Sequence, residues 1–184
     1  MEDYLESTEL INHHDPKIRR QASDLTAGRP TREEKVRALA EFVREHIILE
    51  IERQPLAHRA SQVLCFRRGS ATGKALLFAA LCRASGIPCR IRRQRLTGAP
   101  PSWLKLKGAA RLEWGEAHPV NEVLVESGWV AVDVSLDSQS ASRLGLQMPY
   151  ITGSQDATLR EATVWNGGTR LLVQEESGVG GNSA

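Results

Sequence analysis

Apolar residues recur at helical spacing from Val36 through Leu39, Ala40 and Val43 to Ile47, and Thr31 and Glu34 ahead of them form the two halves of a capping box. This predicts a core-facing helix that opens at Thr31. Upstream, Asp15 before Pro16 in "HHDP" marks another helix entry, with the carboxylate as cap and the ring at the first helical position. From Ala71 to Ala84 the chain is apolar on nearly every side, and Gly86 and Pro88 stop it. A helix of that kind has to be surrounded by other structure. The stretch between Pro55 and Ala71 reads as an arginine-rich turn leading into it.

A strand is predicted over 88–96, then a Gly and Pro loop over 98–102, then a stretch to residue 117 that reads either as a lid or as an ordinary long connection. The strongest β-pattern is "HPVNEVLVESGWVAVDVSLD", residues 118–137. With Ser127 and Gly128 as a two-residue turn, position 123 pairs with 132 and 125 with 130, so the valines share one face. The opposite face then carries His118, Glu122, Trp129, Asp133 and Asp137. One face is core, and the other is free for chemistry.

The 184 residues suit one domain, expected over 1–174, with 175–184 a disordered tail that has almost nothing apolar to bury. A net charge of +2 gives no global field for nucleic acid or an anionic membrane, and neither is expected as a partner. Cys65, Cys82 and Cys89 are an odd set without metal-ligand spacing, which suggests a reducing compartment. No signal pattern is visible, and the longest apolar run, Ala75 to Cys82, is too short to span a bilayer, so a soluble cytoplasmic protein is expected. No heptad specifies an oligomeric state.

Two short motifs invite chemistry that their residues do not support. "GSATGK", residues 69–74, is one residue short of a phosphate loop: Arg68 stands where the first glycine would be, and Ala75 after Lys74 offers magnesium nothing. The helical pattern puts Lys74 one turn inside a helix instead of at the mouth of a phosphate nest. His13 and His14 point in different directions at a helix entry, which is poor metal geometry.

A buried helix whose N-terminus meets an imidazole and a carboxylate from one sheet face is the layout that activates a cysteine nucleophile. The position such a nucleophile would occupy is Ala71. Here "RASQVLCFRRGSATGKALLFAALCRASGIPCRIRR" followed by "HPVNEVLVESGWVAVDVSLD" resembles the bacterial transglutaminase-like proteins, relatives of papain-type cysteine enzymes. Their pattern has a glycine, any residue and a cysteine opening a helix, then "GIP" and a strand, then a histidine starting a strand and an aspartate in the next. Gly69, the run Gly86–Ile87–Pro88, His118 and Asp133 match it, and the likeness extends over roughly residues 4–137.

The resemblance implies an α+β, papain-like fold, with N-terminal helices and a buried central helix packed on an antiparallel sheet. It implies a Cys-His-Asp triad with Ala71 at the nucleophile position, His118 as base and Asp133 as its orienter. Strict pairing of the hairpin sets Asp137 across from His118 and leaves Asp133 about 13 Å along the strand. A bulge or a wider register would bring Asp133 in, and the family pattern points to Asp133. Ser70, in the variable position, is placed with the substrate-binding residues. Asn121 is either a polar wall of the cleft or turned away into a backbone hydrogen bond. Trp129 either floors a groove, shields the pair or simply packs. Arg67, Arg68, Arg90, Arg92 and Arg93 either select an acidic substrate or form a solvated rim.

The activity implied is that of a hydrolase or acyltransferase acting on an amide, thioester or ester carried by a peptide, a protein or a small molecule. No metal or organic cofactor is implied. Cys65 lies on the wrong side of the helix start and Cys82 about three turns down it, so neither replaces the missing thiol. Ala71 therefore leaves the chain inactive, either through an engineered Cys-to-Ala substitution, which the intact His118 and Asp133 favour, or as a natural non-catalytic protein that binds a peptide or protein segment in the same groove.

Overall fold

Local chemistry sets each helix start. Asp15 accepts a hydrogen bond from Lys17 N at 2.9 Å and opens α1 (Pro16–Thr26). Thr31 and Glu34 form the reciprocal capping box and open α2 (Arg32–His46). The computed structural model describes residues 2–50, 59–97, 118–139 and 172–174. Beyond the first two helices it contains β1 (Ile48–Leu49), α3 (Ala60–Phe66), β2 (Arg68–Gly69), α4 (Ala71–Ala84), β3 (Cys89–Thr97), β4 (His118–Val125), β5 (Gly128–Val132) and β6 (Leu172–Gln174). Among the described residues no helix is long and apolar enough to cross a membrane.

α4 is buried from Gly73 to Arg83 and sits between the other helices and the sheet. Ile18 and Ala22 of α1, Leu39 and Val43 of α2, and Ala60 and Val63 of α3 surround Leu77, Phe78 and Leu81 on one side, while Val123, Val125 and Val132 come from the sheet. The helix ends at Gly86, whose φ of +71° suits a residue without a side chain, and Ile87 N closes the turn on Cys82 O at 2.9 Å. α3 replaces the arginine-rich turn expected there. Its Ala60, Val63 and Leu64 recur at helical spacing and are buried, a seven-residue pattern too short to stand out beside the flanking arginines.

The sheet order is β5-β4-β3-β6, with every neighbouring pair antiparallel. A separate two-residue parallel pair, β1 with β2, ties the end of α2 to the start of α4. It also sets Gly69 against α3, where an added Cβ would meet Val63 Cγ1 at 3.1 Å. The hairpin register differs from the one expected by two residues. Val123 pairs with Val130 and Val125 with Gly128, so Glu126 and Ser127 make the turn, and Gly128, at φ +118°, takes the first position of β5. A slip of two preserves side-chain parity, and the same valines still face α4. Residues 98–117, with the lid-or-connection stretch, residues 140–171 and the tail 175–184 lie outside the described residues, as does the C-terminal limit of the domain.

Candidate active site

The two-residue slip brings a carboxylate to the start of β4. Asp133 moves from opposite Glu122 to a position diagonal to His118, and β5 ends at Val132, releasing the chain from the ladder. His118 Nε2 lies 2.7 Å from Asp133 Oδ2, and Asp133 Oδ1 accepts Ser135 N at 2.8 Å. Asp137, the residue that strict pairing would have chosen, instead accepts Leu49 N at 3.2 Å. With Nε2 held by Asp133, Nδ1 is the ring nitrogen left to exchange a proton with another group.

Burial works against charge on both partners, and each overcomes it through the other. The His118 side chain is 18% exposed and that of Asp133 7%. Burial favours the neutral imidazole, but the charge and hydrogen bond of Asp133 outweigh it and raise the His118 pKa above its ordinary 6.5. Burial likewise penalises the Asp133 carboxylate, yet His118 and the hydrogen bonds from Ser135 bring its pKa down to about 2. The pair is a short hydrogen bond in a partly dry setting, and it becomes an ion pair when the ring is protonated.

Topology brings this pair to the N-terminal end of α4. The chain reverses between α4 and β3, and β4 is antiparallel to β3, so β4 runs in the same direction as α4. Asn121 Nδ2 donates to Ala75 O at 3.0 Å and fixes the two elements against each other. Ala71 is one turn before Ala75, and His118 three residues before Asn121, on the same side of that link. Asn121 is thus the fully buried strap of its second sequence reading, turned into a backbone hydrogen bond, and not a wall of the cleft.

Other expected site residues have partners within the fold. Ser70 caps α4, its Oγ accepting Gly73 N at 3.1 Å. Ser70→Ala should cost about 1 kcal/mol, read as a lowered thermal midpoint. Trp129 pairs with Leu124, about 20 Å along β4 from His118. It packs edge-on against Tyr4 at 5.3 Å, with the Arg90 guanidinium 4.4 Å from its ring centre, and the structure does not bring it to the His118 pair. The arginines have partners within the fold: Arg90 and Arg92 bond Glu122, Arg68 bonds Glu50, and Arg67 covers Phe42. The Arg93 side chain lies outside the described residues.

Lys74, in the first turn of α4, is a buried charge that sequence reasoning missed. Its side chain is fully buried, its Nζ donates to Arg44 O at 3.3 Å, and burial lowers its pKa to about 8 against the pull of Asp137, Asp133 and Glu45. Helical spacing places Lys74 inside α4, but nothing in the sequence shows two distant segments converging on it. The thiols do not replace residue 71: Cys65 is exposed on α3, and Cys82 is buried with its pKa pushed well up by desolvation. Among the described residues no three metal-ligating side chains cluster, and His13 packs on His14 at 4.0 Å between ring centres.

Helices wrapped around a buried central helix, backed by an antiparallel sheet that presents a His-Asp pair, define a papain-like fold. Residues 19–134 match the core model of the transglutaminase-like superfamily, and the chain belongs to that superfamily. Among solved structures it is similar to a Cytophaga hutchinsonii protein described as a candidate cysteine protease, with a TM-score of 0.59 at 18% identity over 72% of this chain and 41% of that one. It is also similar to the periplasmic domain of TgpA from Pseudomonas aeruginosa, with a TM-score of 0.50 at 22% identity over 71% of this chain and 44% of that one. The chain spans less than half the length of either structure. No curated protein sequence matches it.

Proposed function

We propose that the His118 site is the acyl-transfer centre of a transglutaminase-like cysteine hydrolase or acyltransferase, with Ala71 in the nucleophile position so that this chain is inactive as it stands. The observation that carries this reading is the 2.7 Å His118–Asp133 bond at the end of the sheet that faces the start of α4. In the cysteine form His118 Nδ1 takes the thiol proton, and the sulfur attacks the carbonyl carbon of an amide, thioester or ester. The imidazolium then returns the proton to the departing amine, thiol or alcohol, leaving an acyl-enzyme. Asp133 holds the ring through Nε2. Amides in the first turn of α4, which have no intrahelical acceptor, are the donors for the oxyanion. Water or an amine then accepts the acyl group from a peptide, protein or small-molecule donor.

Incubating the Ala71→Cys protein with p-nitrophenyl acetate should add a single acetyl group, located by mass spectrometry on residue 71. The chain with Ala71 and the Ala71→Cys, His118→Ala double variant should remain unacetylated there. Acetylation confined to Cys65 would overturn the reading. The alanine itself supports a second reading, a natural binding module that holds a peptide or protein segment against an unreactive methyl group. An alanine codon at position 71 of the native gene would favour that module, and a cysteine codon an engineered substitution.

A further inference from the structure

Arg44, Lys74, Arg83, Glu122, Asp133 and Asp137 are the acidic and basic side chains that the fold buries among the described residues. Lys74 and Arg83 donate to backbone carbonyls, Glu122 takes Arg90 and Arg92, Asp133 takes His118, and Asp137 takes Leu49 N. Arg44 is the exception. It is 9% exposed, its Nε has no hydrogen-bond partner, and no carboxylate of the described residues lies within ion-pairing distance of its guanidinium. Burial lowers its pKa, and the charges of Glu45, Asp133 and Glu41 act the other way from farther off. A carboxyl or an amine can answer burial by changing its protonation, but a guanidinium stays charged.

Arg44 faces a cavity. Arg37, Glu41, Arg44 and Glu45 recur at helical spacing along α2 and line, among the described residues, a cavity of about 410 Å³, a size that suits a small molecule. Its lining carries two guanidiniums and two carboxylates, so a bare anion drawn to Arg44 would be repelled by the glutamates, and a bare cation by the arginines. A molecule that holds both charges meets neither penalty. Glu45 is already engaged, accepting Ser138 N at 3.4 Å and Ser138 Oγ, whereas Glu41 has no ion pair among the described residues. We infer that this cavity on α2 binds a small dipolar ligand of the amino-acid class, its carboxylate paired with Arg44 and its ammonium with Glu41. A fixed carboxylate gives a guanidinium shorter and stronger bonds than neutral partners do. The inference is independent of the acyl-transfer reading and is tested in the protein with Ala71, without turnover.

The experiment follows the Arg44 Nε–H resonance by NMR while the common amino acids are added one at a time, with acetate and methylammonium as the two halves of the ligand. At least one amino acid should shift that resonance to saturation, with a Kd about ten-fold or more below that of either half. The same amino acid should leave the backbone amides around the cavity unshifted in Arg44→Met, which keeps much of the side chain's length without its charge. No saturable shift with any amino acid, acetate binding as tightly as the best of them, or binding that survives Arg44→Met would each overturn the inference. Should Arg44→Met fail to fold, Glu41→Gln, at an exposed position, decides. It should weaken the amino acid about ten-fold and leave acetate no weaker, and an unchanged amino-acid affinity would refute the pairing with Glu41.

Discussion

Ala71→Cys is expected to alkylate with iodoacetamide about two orders of magnitude faster than Cys65 near pH 6, where an ordinary thiol is almost wholly protonated. The new sulfur would open a 14-residue helix, where the helix dipole favours an anion. It would also face the end of the sheet where Asp133 keeps His118 protonated above its usual pH. Thiolate and imidazolium stabilise one another, so the rate should rise through a midpoint well below 8.5 and should lose that low-pH limb in the His118→Gln background. Cys65, exposed, and Cys82, fully buried, serve as internal references. A rate profile at residue 71 with its midpoint near 8.5 would mean that no ion pair forms, and the His118 end of β4 would have no part in activating that position.

Asp133→Asn should have the second-largest effect. The amide keeps the shape of the carboxylate but not its charge, so burial becomes the dominant influence on His118 and pushes its pKa from above 6.5 to below it. An NMR titration should show a fall of about one unit or more. Stability should change its pH dependence at the same time. Because the folded His118 pKa is raised, its contribution is complete below the unfolded value near 6.5 and is lost as pH climbs through the folded value. Because Asp133 is depressed from 3.8 to about 2, its contribution is present above 3.8 and is lost as pH falls toward 2. The parent protein should therefore gain most from the pair between about pH 4 and 6.5, and Asp133→Asn should flatten that maximum in urea unfolding measured across the range. A His118 pKa that does not move in Asp133→Asn would show that the short hydrogen bond is not what charges the ring.

Much of the scaffold was legible because its signals are local. Thr31 with Glu34, Asp15 with Pro16, and Gly86 with Pro88 each act over a few residues, and the structure places helix boundaries beside them. The unbroken apolar run of α4 signalled a central helix, since a helix apolar on every side cannot face water. α3 was obscured because three buried positions within seven residues give too little periodicity. The hairpin face was legible by parity, but its register was not. A turn at Glu126–Ser127 and one at Ser127–Gly128 bury the same valines, so hydrophobicity does not choose between them.

That slip of two residues decided which aspartate holds the histidine, and it separates what the chain dictates locally from what it dictates only when folded. Sequence by itself determined the caps, the central helix, the alternating strands, the family pattern around Ala71, His118 and Asp133, and the absence of a thiol at position 71. Tertiary structure decided that Asp133 and not Asp137 bonds His118, that Asn121 straps β4 to α4, that Ser70 caps a helix, and that Trp129 belongs to a distant aromatic and arginine stack. It also decided that Lys74 is fully buried, with its Nζ on the carbonyl of Arg44, thirty residues away in the sequence. The reason is physical: caps and periodicity depend on neighbours within a turn or two, whereas hydrogen-bond partners, burial and shifted pKa values depend on which distant segments the packed core brings together.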